Sequence, residues 1–534
     1  MDDLSDIAAE VEARAESLMG PDEEITLDRQ FVIDCIKANE RGDGCLFAAL
    51  NGKKCLYNVT RKPAGQWYYW NDVVWEEDVY RKTVAEVEYC AMEYDLLIEG
   101  MNREIEEEDI TSKKHSDFWK VKFRDSVVAR AKRLRSTSGV AKALDWAPVV
   151  DMSLACEERD FDQEKWLLPC KNGVIDLRTG VLTDGRPGDM LTRQIDVEYD
   201  PRADYADWVA VIEEICDSKE IAAFIKRLMG YAITGNTKEQ NIFVFVGPGR
   251  NGKGIMFSLI GEVMGPYYHE INPGMILEQR NEPSPAAASE HKYSLLGKRI
   301  IVGAETNKNK RIDAQAVKSL TGEDKITCRP NFSAEFSFSP THTLFLHTNH
   351  LPTGLTSDFA LLQRLLRIEF PFMYVDDVDA EKKKHPGQKD RFRKKDPDLK
   401  DKLRENKQGI LRWLVEGCRE WQEVGLSPPQ SILDGVDALA REEDYMGQFI
   451  DDCLVHHPGD PARKISCRDM YISFSWWWGQ NMDSNVKRIP AMKTINKAMR
   501  ERGYDISKLS GRTWVFEHTI NPEILTRMGE TGDT

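Results

Sequence analysis

The run from Gly247 through Pro248, Gly249, Arg250, Asn251 and Gly252 to Lys253 has the G-x-x-x-x-G-K spacing of a phosphate-binding loop. Backbone N–H groups in such a loop face phosphate oxygens, and the lysine ammonium reaches the β- and γ-phosphates. Gly254 and Ile255 follow, so the position after the lysine lacks the Ser or Thr hydroxyl that ordinarily meets magnesium. Downstream stand three residue types that phosphoryl transfer needs. Glu305 is a carboxylate suited to polarising water and helping to hold Mg²⁺. Asn349 is an amide able to hydrogen-bond the γ-phosphate or the attacking water. Arg364 and Arg367 are guanidinium groups suited to the transition-state charge.

These residues need rigid elements to bring them together. Residues Ile242–Val246 form a continuous apolar, β-rich run, the pattern of a buried strand, and Ile255–Met264 reads as a helix. Strand, glycine loop and helix are thus predicted in the order that points a helix N-terminus at an anion. A second apolar strand, Arg299–Ala304, ends just before Glu305, and a third, in "THTLFLHTNHLP", ends at Asn349. The element "FALLQRLLRIEFPF" carries both arginines.

Other segments have the chemistry of nucleic-acid contacts. Between Glu305 and Asn349 the chain reads as a helix and then a β-hairpin, "DKITCRP" and "EFSFSP", with a tip at residues 331–334. Lys325 and Arg329 would neutralise phosphates there, and Phe332 would stack on a base; pairing with Asp324 and Glu335 is the plainer alternative. Near the C-terminus "RIPAMKTINKAMRERGY" is an amphipathic helix, with Met492, Ile495 and Met499 on the core side and Lys493, Lys497 and Arg500 on a basic stripe. A hairpin in "SKLSGRTWVFEHTI" follows, so helix and basic wing together suggest a winged-helix module. "GQWYYWNDVVWEEDVY" reads as a hairpin turning at Asn71-Asp72, whose tryptophans favour a small satellite core over base stacking. In "SFSWWWGQN" three consecutive tryptophans cannot share one helix face, so at least one is expected at a surface or subunit contact.

The order and wording of these motifs resemble the superfamily III helicases of phages, plasmids and large DNA viruses, the helicase part of the primase-helicases. The resemblance rests on the loop, Glu305 and Asn349 within about a hundred residues, and on "VKSLTGEDKITCRP" and "TNHLP". It extends upstream through "NGVIDLRTG" and downstream through "LRENKQGILRWLVEG", covering roughly residues 28–520. It implies an AAA+-like ATPase using ATP and Mg²⁺, assembled as a ring, usually a hexamer, that pulls DNA through its channel. By the same resemblance Lys253, Glu305 and Asn349 are the loop lysine, catalytic acid and sensor. Arg364 is then the first choice for an arginine finger acting across a subunit boundary, with Arg367 second. Ala304 stands where related ATPases often carry a second acid, which leaves Glu305 and water as the metal's protein-side partners.

The expected architecture is multidomain α/β. An acidic tail (1–27) precedes a mixed α+β helicase-associated domain (28–204). The ATPase domain with a central parallel sheet (205–375) follows, then a charged linker and helical region (376–440), the winged-helix-like module (441–522) and a tail (523–534). The dense charges of 379–407 read most simply as a solvated surface.

Composition bounds the remaining possibilities. Hydrophobic residues make up 41% of 534, enough for real cores, and the net charge of −16 argues against a protein coated all over in nucleic acid. Eleven cysteines without a C-x-x-C pair suit reduced thiols rather than a disulfide framework or zinc ribbon. The acidic N-terminus is unlike a signal peptide, and no run of about 18 apolar residues suggests a membrane span. An intracellular location is expected, the bacterial cytoplasm if the chain is phage- or plasmid-encoded. The region ahead of the ATPase has no zinc cluster and no pair of metal-binding acids on neighbouring strands, so priming is expected from a separate primase or polymerase partner. Single-stranded or forked DNA and further copies of the chain are the other expected partners. The competing reading is an origin-loading factor that uses nucleotide as a switch with weak turnover.

Overall fold

The computed structural model describes residues 27–61, 64–278, 289–304, 310–329, 335–355, 358–481 and 489–531. Its centre is an all-parallel sheet of five strands: β1 (Ile242–Val246), β2 (Tyr268–Ile271), β3 (Ile300–Ala304), β4 (Thr343–Thr348) and β5 (Leu365–Glu369). Their spatial order is β5-β1-β4-β3-β2, and every neighbouring pair is parallel. A strand covered on both faces needs apolar residues throughout rather than in alternation, and all five residues of β1 are buried.

The two faces feed two cores. Phe243, Phe245, Ile300, Val302 and Phe345 point into one, packed against helix α1 (Lys253–Met264) and the helices Ala206–Cys216, Lys219–Ala232 and Lys407–Val424. Ile242, Val244, Ile301, Leu344 and Leu346 alternate into the other, against helix α2 (Ala314–Thr321) and Leu439 of helix α3 (Gln430–Glu443). The sheet therefore sits between helical layers, with its C-terminal strand ends free to carry a site.

Ahead of the sheet lie a helical unit and two small sheets. Helices Lys82–Glu107 and Trp119–Leu134 build a separate core around Tyr94, where buried Asp43 is bound by Arg130 and accepts a hydrogen bond from the Tyr94 hydroxyl at 3.0 Å. The hairpin expected at Asn71-Asp72 forms, pairing Trp70 with Trp75, and the Asn71 Oδ1 accepts from the N–H groups of Val73 and Val74. Trp75 is 1% exposed in a satellite core with Leu56, Tyr68 and Phe161, so it packs rather than stacks on bases. One side chain locks this unit to the sheet. Arg299, buried at the foot of β3, donates to the Ile233 and Leu167 carbonyls at 2.6 Å each and lies over the Tyr267 ring.

The C-terminal module runs α4 (Tyr445–Cys453), the strand Leu454–His456, β6 (Lys464–Ser466), α5 (Cys467–Asn481), α6 (Met492–Glu501), β7 (Ile506–Leu509), β8 (Arg512–Phe516) and the strand His518–Ile520; one sheet is ordered β6-β8-β7, and Leu454–His456 pairs antiparallel with His518–Ile520. Of the three tryptophans on α5, Trp477 and Trp478 are buried and Trp476 is half-buried, so the partly exposed one is Trp476. Met492, expected in the core, is 42% exposed, because it opens α6 one turn before the buried pair Ile495 and Met499. The segment Pro522–Thr531 forms a further helix that buries Ile524. All eleven cysteines are free. No helix among the described residues is long and apolar enough to cross a membrane.

Candidate nucleotide-binding site

At the C-terminal end of β1 the chain turns so tightly that side chains are excluded. A β-carbon on Gly247 would stand 2.2 Å from the Phe370 carbonyl oxygen, and one on Gly252 2.6 Å from Ile215 Cγ2. Gly252 also has φ +88°, a left-handed conformation that favours glycine. Two backbone bonds pin the loop to the chain after β5: Phe370 N–H donates to Val246 O and Tyr374 N–H to Arg250 O, each at 2.8 Å. Lys253 then opens α1.

The Lys253 side chain folds back under the loop. It is 3% exposed and its Nζ donates to the Gly247 carbonyl at 2.9 Å. Burial, which penalises the charged form, pulls its pKa down to about 8. No carboxylate pairs with it among the described residues. Asn251 beside it is buried, with an Nδ2 that has no acceptor among the described residues. A buried ammonium without a counter-ion and an unmatched amide donor fit a phosphate group, which supplies both negative charge and acceptors. Around Gly254 the space is open, with no atom within 4 Å of a β-carbon placed there.

The structure brings Asn349 to this loop. The residue is exposed just past β4, and its Nδ2 lies 3.8 Å from a β-carbon placed on Gly249. Strand β3 ends at the same edge of the sheet; Glu305 itself lies outside the described residues. Arg364 lies at the opposite edge. It precedes β5, where its carbonyl accepts from Ile242 N–H, and its guanidinium donates to Thr321 Oγ1 at 2.9 Å and Gln240 Oε1 at 3.2 Å. A five-residue strand spans about 16 Å, so Arg364 cannot serve the loop of its own chain. Arg367 sits within β5, 2.5 Å from Glu369 in an ion pair, on the strand against which α3 packs.

Beside the loop is a cavity of about 480 Å³. Trp208, Ile212 and Ile215 from helix Ala206–Cys216 form one wall, Arg250, Asn251, Gly252 and Gly254 to Met256 the floor, and Tyr374 with Leu399 the other wall. Tyr374 donates its hydroxyl to Glu214 at 2.9 Å, which fixes the mouth. Apolar walls next to a phosphate cradle suit the base and sugar of a nucleotide. The sequence reading placed none of these wall residues in the site. Trp208, Ile212 and Ile215 do recur at helical spacing, but that signal says only that a helix has an apolar face.

The residues expected at nucleic acid are more dispersed. Strands Ile326–Cys328 and Phe336–Phe338 form the predicted hairpin. Lys325 is exposed at its base, with no ion pair to Asp324 among the described residues, while Arg329 exchanges backbone and hydroxyl bonds with Ser289 at 2.9 Å. Phe332 and the tip lie outside the described residues. Lys493, Lys497 and Arg500 are exposed along α6, where Lys497 lies 3.6 Å from Glu501. The β7–β8 turn at Ser510-Gly511 has positive φ at both positions and presents exposed Lys508 and Arg512.

Comparison with known proteins gives two family matches. Residues 45–217 match the family described as D5 N terminal like, and residues 245–364 match a family of unknown function, DUF5906. A protein of Acanthamoeba polyphaga mimivirus named "Putative helicase L207/L206" is 26% identical over 350 residues, 64% of this chain and 36% of the relative. One of Frog virus 3 named "Putative helicase 022R" is 22% identical over 483 residues, 74% of this chain and 48% of the relative. The chain thus spans less than half the length of either. The solved apo structure of the NrS-1 C-terminal region aligns with 60% of this chain and 77% of that one at 11% identity. Its TM-score of 0.35 is too low to carry an argument.

Proposed function

We propose that this chain, as a member of the primase-helicase family of phages, plasmids and large DNA viruses, is an ATP-driven DNA helicase working as a ring closed by six copies. The observation that carries the reading is Lys253, an ammonium held under a glycine loop with a carbonyl for company and no carboxylate among the described residues.

In this reading the N–H groups of the loop and Lys253 hold the β- and γ-phosphates of ATP, and the cavity between Trp208 and Tyr374 takes the base and ribose. Glu305 takes the proton of the attacking water as its oxygen bonds to the γ-phosphorus and the bond to the β–γ bridging oxygen breaks, leaving ADP and phosphate. Mg²⁺, when bound, neutralises phosphate charge; with no hydroxyl at Gly254, its protein-side partner is Glu305. Asn349 orients the water. Arg364 acts on the loop of a neighbouring copy, which its place at the far edge of the sheet supports. The hairpin with Lys325 and Arg329 grips the strand, and the succession of α5, α6 and the antiparallel β7–β8 hairpin supports a winged helix with α6 and the β7–β8 wing toward DNA.

The test is ATP hydrolysis by the purified chain with and without single-stranded DNA, together with unwinding of a forked duplex. DNA-stimulated hydrolysis and unwinding, both lost in Lys253→Ala, are expected. Nucleotide binding with neither stimulation nor unwinding would instead favour a nucleotide-switched assembly factor, the reading to which the missing hydroxyl at Gly254 lends weight.

A further inference from the structure

The stretch "KKKHPGQKDRFRKK", residues 382–395, holds eight Lys or Arg and one Asp in a chain of net charge −16. It forms most of a lobe that leaves the fold after the strand Met373–Val375 and returns through the parallel strand Phe392–Lys394. From Lys383 to Arg391 every residue is exposed.

Three of the carboxylates around the lobe are engaged elsewhere. Asp377 caps the helix Val378–Lys384 by accepting from Ala380 N–H at 2.9 Å, Glu381 pairs with Lys384 at 2.7 Å, and Asp396 pairs with Lys402 at 2.8 Å. Arg393 lies over the Phe372 ring, 3.7 Å from its centre. Lys382, Lys383, Lys389 and Arg391 have no carboxylate partner among the described residues, and Lys394 reaches only the Asp376 backbone carbonyl. Four such cations on one exposed excursion whose aromatic residue, Phe392, is turned inward present charge to solvent and little else, the character of a surface for a phosphodiester backbone.

Both stems of the lobe enter the wall of the nucleotide cavity. Asp376, just past the outgoing strand, and Lys395 and Asp396, just past the returning one, line it. Between them Tyr374 holds the phosphate loop through its N–H and Glu214 through its hydroxyl. We propose that this lobe binds the sugar-phosphate backbone of a nucleic-acid strand, and that filling of the nucleotide cavity repositions it through Tyr374 and the paired strands. The backbone contact stands apart from the helicase assignment; the nucleotide coupling rests on that reading of the cavity.

The test uses the full chain, with Lys382, Lys383, Lys389 and Arg391 all changed to Ala, and fluorescently labelled dT20 titrated at several salt concentrations. None of the four lines the cavity, so basal ATP hydrolysis is expected to be unchanged. Removing four phosphate contacts makes the slope of log K against log salt shallower by about 2–3 and weakens binding at low salt by roughly tenfold or more. A slope and affinity equal to wild type would overturn the proposal. Equal competition by polyglutamate of matched charge would overturn the nucleic-acid assignment in favour of an acidic protein. A non-hydrolysable ATP analogue should shift the affinity of the wild type several-fold and that of the variant less. The same shift in both would overturn the coupling while leaving the backbone contact in place.

Discussion

Lys253 carries two energetic signatures. Its ammonium is disfavoured by burial, with a pKa near 8 against the usual 10.5, so at pH 8.5 much of it is neutral in the free protein. A bound phosphate favours the charged form. Nucleotide binding should therefore take up a substantial fraction of a proton at pH 8.5 and almost none at pH 6.5, where the lysine is charged in both states. Calorimetry in two buffers of different ionisation enthalpy reads this directly, and Lys253→Ala should show no uptake from this source. The glycines beside it separate by geometry. Gly252→Ala should cost about 1–3 kcal/mol in denaturant unfolding, through its left-handed φ and the contact with Ile215. Gly254→Ser meets open space and should fold as wild type, with hydrolysis intact or a lower Mg²⁺ requirement in a magnesium titration. Loss of activity there would mean that the glycine serves backbone shape and that the account of the metal is wrong.

Strands and helices decide what these residues can reach. The run IFVFV and the glycine loop were legible as sequence because a strand buried on both faces and a turn without side chains leave unmistakable residue types. The ends of β3 and β4 were legible for the same reason. What the linear pattern did not contain was the sheet order, so it could not say that Arg364 lies at the edge opposite the loop or that Arg367 pairs with Glu369 within β5. The cavity walls were also out of reach, since Ile215 and Tyr374 are 159 residues apart and meet only through the packing of a helix and a strand on the loop. Met492 misled because helical periodicity marks a face and says nothing of where the core ends. His342, just ahead of β4, adds an element-level prediction. It is fully buried, with its Nε2 bonded to Leu320 O at 3.0 Å, and burial takes its pKa down to about 4. The unfolded chain binds more protons than the folded one between pH 6.5 and 4, so stability should fall as pH drops through that window. His342→Gln should remove that share of the loss in urea unfolding at pH 7 and pH 5.

At the scale of the whole molecule, the units ahead of the sheet and the sheet itself are joined rather than strung together. Arg299 ties the base of β3 to two carbonyls from earlier elements, and replacing it by Met leaves both carbonyls unmatched. A loss of about 2–4 kcal/mol is expected in chemical denaturation. Assembly is the larger claim. If Arg364 completes the site of a neighbouring copy, each defect is confined to one side of an interface. The most direct measurement mixes Lys253→Ala chains with Arg364→Ala chains, each inactive alone, and follows ATP hydrolysis. Random assortment in a closed ring gives about a quarter of the interfaces an intact loop from one chain and an intact arginine from the next, so activity should return on mixing. A mixture as inactive as its two components would contradict the ring and the shared site together.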